Sequence, residues 1–438
     1  MSDTIFALSS GQGRAGIAII RLSGAKVGMA FRKLCGRVPE ARRASVMTVR
    51  DPQDGGVIDK GICLFFSAPK SFTGEDMGEL QLHGGRAVVA AALSALGRLP
   101  GLRPADAGEF TRRAFVNGRL DLVETEGLGD VINAETKGQL ELAQRLAGGH
   151  LSRRVEHWRS ELVSTMARLE ASIDFSDEGD VGDVGDAALG ARVGTVLIEL
   201  ERVLDDKGRG ERLRGGVHVA IAGPPNAGKS TLLNRLARRD AAIVSPIAGT
   251  TRDVIEVQLD LDGIPVTLAD TAGLREGGDP IEVIGVERAL ARVAASDLVL
   301  WLEAADEVSG KPPFMHLRLV RVRTKVDLVS RKVPESDGIG VSAVTGEGMD
   351  ALLDVLSERA RDLAGADEHV LITHARQRVM LSACADELRA FRLMAGEEGA
   401  ELRAERLRLA VRALERLSGR VDVEDVLGEI FASFCIGK

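Results

Sequence analysis

Residues Gly223 to Ser230 read GPPNAGKS, between the apolar run VHVAIA at 217–222 and a stretch with helical spacing. A strand that ends in a glycine-rich G-x-x-x-x-G-K-S turn and feeds a helix is the context in which such a loop binds phosphate. The glycines let backbone N–H groups turn inward, Lys229 brings a cation to the β- and γ-phosphates, and Ser230 offers a hydroxyl to Mg²⁺. Asn226, Ala227, Gly228 and Thr231 complete the cradle. From Val217 to Leu363 the apolar runs VHVAIA, VIEVQLDLD, PVTLAD, DLVLWLE and LRLVRVR alternate with helical stretches. This pattern predicts a doubly wound, mainly parallel α/β sheet, a Ras-like P-loop domain over 212–372.

Four further motifs follow in the order a GTP switch requires. GTTRD begins at Gly249, and Thr251 is placed to ligand Mg²⁺ when a γ-phosphate is present. DTAG (Asp270, Thr271, Ala272, Gly273) ends a strand, so Asp270 reaches the metal's water shell and Gly273 can approach the γ-phosphate. TKVD (Thr324 to Asp327) follows LRLVRVR; the Asp327 carboxylate accepts two hydrogen bonds that guanine offers and adenine does not. Ser342 and Ala343 close the base pocket with Lys325. Thr324 stands where the usual pattern has Asn, which predicts one weaker contact supporting the loop. Leu274 stands where Ras-type enzymes carry the water-orienting glutamine, so hydrolysis is organised differently. Asn226, whose amide oxygen can hold a monovalent cation, and Glu282 are the nearby groups that can serve; from spacing alone Glu282 reads equally well as an exposed helix start.

A chain of 438 residues accommodates two to four domains. With 45% hydrophobic and 28% charged residues and no apolar run near the ~18 of a membrane span, it reads as globular with no membrane segment. Its start, MSDTIFALSSGQGRAG, lacks the features of a secretory signal, so a cytoplasmic location is expected. A net charge of −8 argues against indiscriminate polyanion binding without excluding a local basic face. Cys35, Cys63, Cys384 and Cys435 have neither zinc nor disulfide spacing. Residues 1–118 mix short strand-like runs with an Ala-rich helix and predict a compact α+β domain. Segments 119–211 and 373–438 have helical periodicity, marked by Leu151, Val155, Trp158, Leu162, Met166, Leu169 and Ile173, and are broken by an exposed acidic loop at 176–186. One helical domain with the α/β domain inserted into it is the simplest arrangement.

Together with TIFALSSGQGRAGIAIIRLSG at 4–24, SFTGEDMGELQLHGG at 71–85, GEFTRRAFVNGRLDLVETEG at 108–127 and the terminal FCIGK, these motifs resemble the MnmE (TrmE) family of tRNA-modification GTPases along essentially the whole chain. The resemblance implies an amino-terminal domain that forms a homodimer and binds a one-carbon tetrahydrofolate, in its 5-formyl or 5,10-methylene form. Arg21, Glu79, Arg119 and Lys438 stand at the matching positions, Arg119 in place of the more usual lysine. It implies K⁺ in the GTPase site, with Asn226 as a side-chain ligand and Ser245, Pro246, Ile247, Ala248, Gly249 and Thr250 in the loop over it, and hydrolysis activated by nucleotide-dependent pairing of two switch domains. Glu282 then matches the residue proposed to orient water, and Cys435 the cysteine of the terminal motif, either a nucleophile or a packed thiol. The implied partner is an FAD-dependent MnmG-type protein, in a heterotetramer. Together the two install a carboxymethylaminomethyl or aminomethyl group at C5 of the wobble uridine of certain tRNAs.

The five GTPase motifs alone fit two other classes equally well: a ribosome-assembly GTPase that docks RNA as a switch, and a regulatory GTPase whose helices bind an effector. The first does not explain the amino-terminal signatures or FCIGK, and unmodified wobble uridines in a deletion strain would count against the second.

Overall fold

The computed structural model describes residues 3–11, 13–174, 186–239, 241–243, 256–270, 290–307, 310, 312–329, 334, 338–365, 370–394, 399–421, 424–432, 434 and 436–437. The chain divides into two compact units, Met1–Gly129 with Leu414–Lys438, and Asp130–Ala413.

The first unit is built on a six-stranded sheet ordered β3-β4-β5-β2-β1-β6. Its strands are β1 (Thr4–Leu8), β2 (Ala15–Ser23), β3 (Ser45–Arg50), β4 (Val57–Phe66), β5 (Met77–Gly84) and β6 (Leu102–Pro104). All pairings are antiparallel except β1 with β6. Helices α1 (Val27–Cys35) and α2 (Arg86–Gly97) cover one face. Ile20, Leu22, Phe31, Leu34, Met47, Val49, Leu80, Leu82 and Leu96 form the core there. Alternation along β3, with Met47 and Val49 inward and Val46 outward, is what one packed face requires. Helices α3 (Glu109–Val116) and α4 (Leu122–Asn133) follow.

An ionic cluster ties α3 to the sheet. Arg113, 1% exposed, donates through Nη1 to Glu75 Oε2 (3.0 Å) and through Nη2 to Asp3 Oδ1 (3.0 Å) and Glu109 Oε1 (3.1 Å). Arg103 adds bonds to Asp3 Oδ2 and Glu109 Oε1, each at 2.6 Å. The Arg103 hydrogen bond holds the Asp3 carboxyl below its ordinary range. Burial pushes Glu109 upward, but hydrogen bonds from Arg103, the Asp106 amide and Arg113 outweigh it and leave the carboxyl depressed.

The last segment of the chain packs onto this unit. Ser9 Oγ donates to the Gly437 carbonyl at 2.8 Å, and Ala107 bridges to Ile436. Gly108 at φ 65° lies so close to the helix Glu424–Ala432 that a Cβ there would meet the Phe431 carbonyl at 2.7 Å. Phe431 and Phe434 are buried with ring centroids 6.0 Å apart.

The second unit begins with α5 (Lys137–Ala147), α6 (His150–Asp174), α7 (Asp186–Leu204) and α8 (Arg209–Gly215). Then come β7 (Val217–Ala222), α9 (Lys229–Leu236), β8 (Glu256–Leu261), β9 (Ile264–Asp270), β10 (Leu298–Ala304), β11 (Leu319–Thr324) and β12 (Ile339–Gly340). The sheet order is β12-β11-β10-β7-β9-β8, parallel throughout except for the edge pair of β8 with β9. Its central strand β10 is buried at every residue, as a parallel strand covered on both faces must be. Helices α10 (Met349–Ala364), α11 (Ala375–Leu393) and α12 (Ala400–Ser418) follow. The fold is therefore multidomain α/β plus α, with a doubly wound, mainly parallel sheet between helical segments.

The helices before and after the sheet in sequence are tied to one another. Arg378 on α11 bonds Asp206 Oδ1 (2.5 Å), Glu211 and the Leu204 carbonyl, and Arg389 bonds Glu201. On the Arg-rich α12, Arg403 lies buried with its guanidinium 4.4 Å from the Phe391 ring centroid. Arg406 and Arg408 pair with Glu387 and Glu170. These arginines hold the helices together, whatever the outer face of α12 does. No described helix is long and apolar enough to cross a membrane.

Candidate functional site

The GPPNAGKS loop lies at the carboxyl end of β7, where a doubly wound sheet binds ligands. Gly223, at φ 153°, presses against β10: a Cβ there would sit 2.2 Å from the Leu302 carbonyl oxygen. Asn226 adopts the left-handed conformation at φ 62° and is exposed, and Gly228 at φ 84° leads into α9. Lys229 Nζ donates to the carbonyls of Gly223 and Pro224, both at 2.9 Å, so the ammonium is folded over the loop it serves. Thr231 is exposed on the first turn of α9.

Asp270 ends β9 beside this loop. Its Oδ2 accepts from Ser230 Oγ at 3.0 Å, while Oδ1 is buried with no hydrogen-bond partner among the described residues. A buried carboxylate oxygen without a partner is costly unless a cation or a water satisfies it. With a hydroxyl and a carboxylate converging at the start of a phosphate-binding helix, the residues fit a hard divalent cation that keeps part of its water shell.

The loop carrying TKVD and the loop carrying Ser342 and Ala343 lie side by side. Lys325 takes the left-handed conformation at φ 59°, and Asp327 follows it, exposed, in a short 3-10 turn (Val326–Leu328). Val326 N donates to the Val341 carbonyl at 3.3 Å, joining this loop to the one carrying Ser342 and Ala343. Ser342 is buried, and its Oγ accepts from Thr345 N at 3.1 Å. Thr324 keeps a direct support of the phosphate loop: its Oγ1 donates to the Ala227 carbonyl at 2.7 Å. The hydroxyl thus supplies the contact whose weakening the sequence predicts.

Sequence reasoning overlooks the ion pair behind that loop. Glu303 on β10 and Arg323 on β11 are directly opposed cross-strand and buried, with Nη1 3.4 Å from Oε2. Arg323 Nη2 also donates to the Glu307 carbonyl (2.8 Å), and Gly310 N to Glu303 Oε1 (2.7 Å). The lone carboxylate of LVLWLEA, beside a strand LVRVRT that carries Arg321 and Arg323, is the signal that reveals such a pair.

In the first unit, Arg21 on β2 and Glu79 on β5 are cross-strand partners, half-buried, at 3.1 Å. The Arg21 guanidinium lies 5.9 Å from the ring centroid of Phe72 and 6.0 Å from that of Phe110. The Arg119 side chain passes Gly74, where a Cβ would meet its Cγ at 3.3 Å. A paired cation and carboxylate beside a partly exposed aromatic ring fit a flat heterocycle with donors on its edge. Ser245 to Thr251, Thr271, Ala272, Gly273, Glu282, Cys435 and Lys438 lie outside the described residues.

The chain matches two family models: the GTP-binding protein TrmE N-terminus over residues 4–119, and the MnmE helical domain over residues 122–435. The tRNA modification GTPase MnmE of Parvibaculum lavamentivorans is 54% identical over 441 residues, covering 100% of both chains. The protein of the same name from Rhodopseudomonas palustris is 51% identical over 440 residues, covering 100% of this chain and 99% of its own. The G domain of the T. maritima FeoB iron transporter aligns at 25% identity over 33% of this chain and 98% of its own, with a TM-score of 0.26. Full-length identity above one half, together with the phosphate loop and its partnered Asp270, establishes that the chain belongs to the MnmE (TrmE) family.

Proposed function

We propose that this protein is a cytoplasmic GTP hydrolase whose cycle drives modification of tRNA, adding a carboxymethylaminomethyl or aminomethyl group at C5 of the wobble uridine with an FAD-dependent MnmG-type partner. The observation that carries the GTPase half is the junction of Ser230 and Asp270, with Asp270 Oδ1 buried and unpartnered, beside a phosphate loop whose Lys229 is in place. The tRNA half rests on the full-length relatives named as tRNA modification GTPases.

In this reading the backbone N–H groups from Asn226 to Thr231 hold the phosphates, and Lys229 swings from the Gly223 and Pro224 carbonyls to the β/γ-oxygens. Mg²⁺, held by Ser230 and Thr251 with Asp270 bound through water, would neutralise phosphate charge. K⁺ at Asn226, with Ser245, Ile247 and Thr250, would add positive charge where an arginine finger acts in other GTPases. Lys325, Asp327, Ser342 and Ala343 select guanine, and Glu282 orients the attacking water. Gly273 approaches the γ-phosphate as two nucleotide domains pair. Arg21, Glu79, Arg119 and Lys438 bind the one-carbon tetrahydrofolate in a homodimer formed through residues 1–118, with Cys435 beside it. Segments 119–211 and 373–438 form the helical domain, and 212–372 the GTPase domain.

GTP turnover in potassium and sodium buffers of equal ionic strength, run beside nucleoside analysis of tRNA from a deletion strain carrying the gene, tests both halves. Potassium-specific stimulation and restored wobble-uridine modification are expected. Equal rates in the two salts remove the cation mechanism, and unmodified uridines remove the tRNA assignment.

A further inference from the structure

The sequence ETKGQ at 135–139 opens α5 with a capping box: Gln139 N donates to Thr136 Oγ1 (3.3 Å), and Thr136 N to Gln139 Oε1 (3.1 Å). Capping uses Thr136 Oγ1 as an acceptor and leaves its proton to be placed. That proton goes to the carbonyl of Gly263 at 2.7 Å, on the turn between β8 and β9. Gly138 N donates to the same oxygen at 3.1 Å, so both lone pairs of one carbonyl are held by the first turn of α5. A Cβ at Gly138 would lie 2.4 Å from that oxygen, so only glycine fits there. The turn itself is fixed by Gly263 N donating to Asp260 Oδ1 at 2.7 Å, with Gly263 at φ 86°. On the other side Asp262 Oδ2 accepts from Ser357 and from Arg361 Nη2 (2.9 Å) of α10.

The strand leaving this turn is β9, which ends at Asp270. Its seven residues span roughly 20 Å. Over that length it pairs with β7 from Val217 opposite Val266 to Ile221 opposite Asp270. Laddered to β7 on one side and β8 on the other, β9 is held in one register, and the gripped turn fixes its far end, so turn and ladders together set where the Asp270 carboxylate stands against Ser230. We propose that Thr136 and Gly138 are positioning residues of the nucleotide site, gripping the Gly263 carbonyl so that β9 presents Asp270 to Ser230 in the hydrolytic register. The amino terminus of α5 is then the point at which helical segments outside the sheet act on GTP turnover.

This inference rests on the GTPase reading, and turnover of the full chain over a Mg²⁺ titration tests it. Thr136→Val removes the bond to the Gly263 carbonyl together with the cap on Gln139 N; kcat is expected to fall about fivefold and the Mg²⁺ concentration for half-maximal rate to rise by a similar factor. KM for GTP should stay within about twofold, because the base and phosphate loops are untouched. Thr136→Ser restores the wild-type values, and Gly138→Ala shifts kcat and the Mg²⁺ dependence in the same direction as Thr136→Val. A purely structural role would lower the melting temperature without moving the Mg²⁺ dependence. Wild-type turnover with both Thr136→Val and Gly138→Ala unchanged in kcat and Mg²⁺ dependence overturns the inference alone. Absence of turnover in the wild type overturns the GTPase reading and the inference with it.

Discussion

The cluster around Arg113 and the cluster around Asp270 are both built on carboxylates, and they differ in whether those carboxylates meet guanidinium groups or a single hydroxyl. Arg113 has both terminal nitrogens bonded to carboxylates, two of which, Asp3 and Glu109, are shared with Arg103, and its Nε has no partner among the described residues. Asp270 has one oxygen on a serine hydroxyl and the other buried with no donor among the described residues. A closed cluster of this kind fixes a helix against a sheet. An acceptor held open at the mouth of a phosphate loop is a site prepared for something that arrives later.

The comparison is most sharply broken at Arg113. Arg113→Ala leaves Glu109, Glu75 and Asp3 short of a cation, and an expected loss of about 3–5 kcal/mol in a denaturant titration would mark the cluster as structural. Lys229→Ala should do the reverse, slowing GTP turnover by about 100-fold or more with the melting temperature unchanged. A large stability loss in that variant would mean that the loop is a structural element as well.

Acid separates the clusters further. Asp3 and Glu109 titrate below their ordinary values of 3.8 and 4.5, so their stabilisation is full above those values and is lost as the pH falls through the depressed folded values. Stability of the first unit should therefore decline from about pH 4.5 downward, with a flatter decline in Arg103→Met, followed by urea midpoints across pH. An identical slope in the variant would locate the acid sensitivity elsewhere. The smallest effect is expected from Thr324→Val. It removes the hydroxyl from the Ala227 carbonyl and should weaken GTP binding by about fivefold, the worth of one hydrogen bond. An unchanged dissociation constant would show that the Thr324 bond to the Ala227 carbonyl does not support nucleotide binding.

The residues easiest to read in the sequence are those whose chemistry is local. GPPNAGKS declares itself because the strand before it, the glycines within it and the helix after it are contiguous, and DTAG and TKVD each follow their own strand. Strand alternation in SVMTVR and the full burial of LVLWLE are equally local consequences of one or two covered faces. The grip of Thr136 on Gly263 joins residues 127 positions apart, and no periodicity links a helix cap to a distant turn. The Thr324 contact shows the opposite limit. The departure from the usual residue is visible in the sequence, but only the 2.7 Å bond shows that a shorter side chain keeps the support.

The seat of the terminal segment against Gly108 and Ser9 has a consequence for synthesis. On the ribosome Gly129 emerges long before Leu414, and at bacterial rates the interval is roughly a quarter of a minute to a minute. Throughout that time the site that receives Phe431 and Phe434 stays uncovered, while the parallel sheet, its strands lying between Val217 and Gly340, can already close. The nascent chain can therefore complete its nucleotide domain before its amino-terminal unit, and a ribosome stalled before residue 414 would carry the first complete and the second still lacking its last segment.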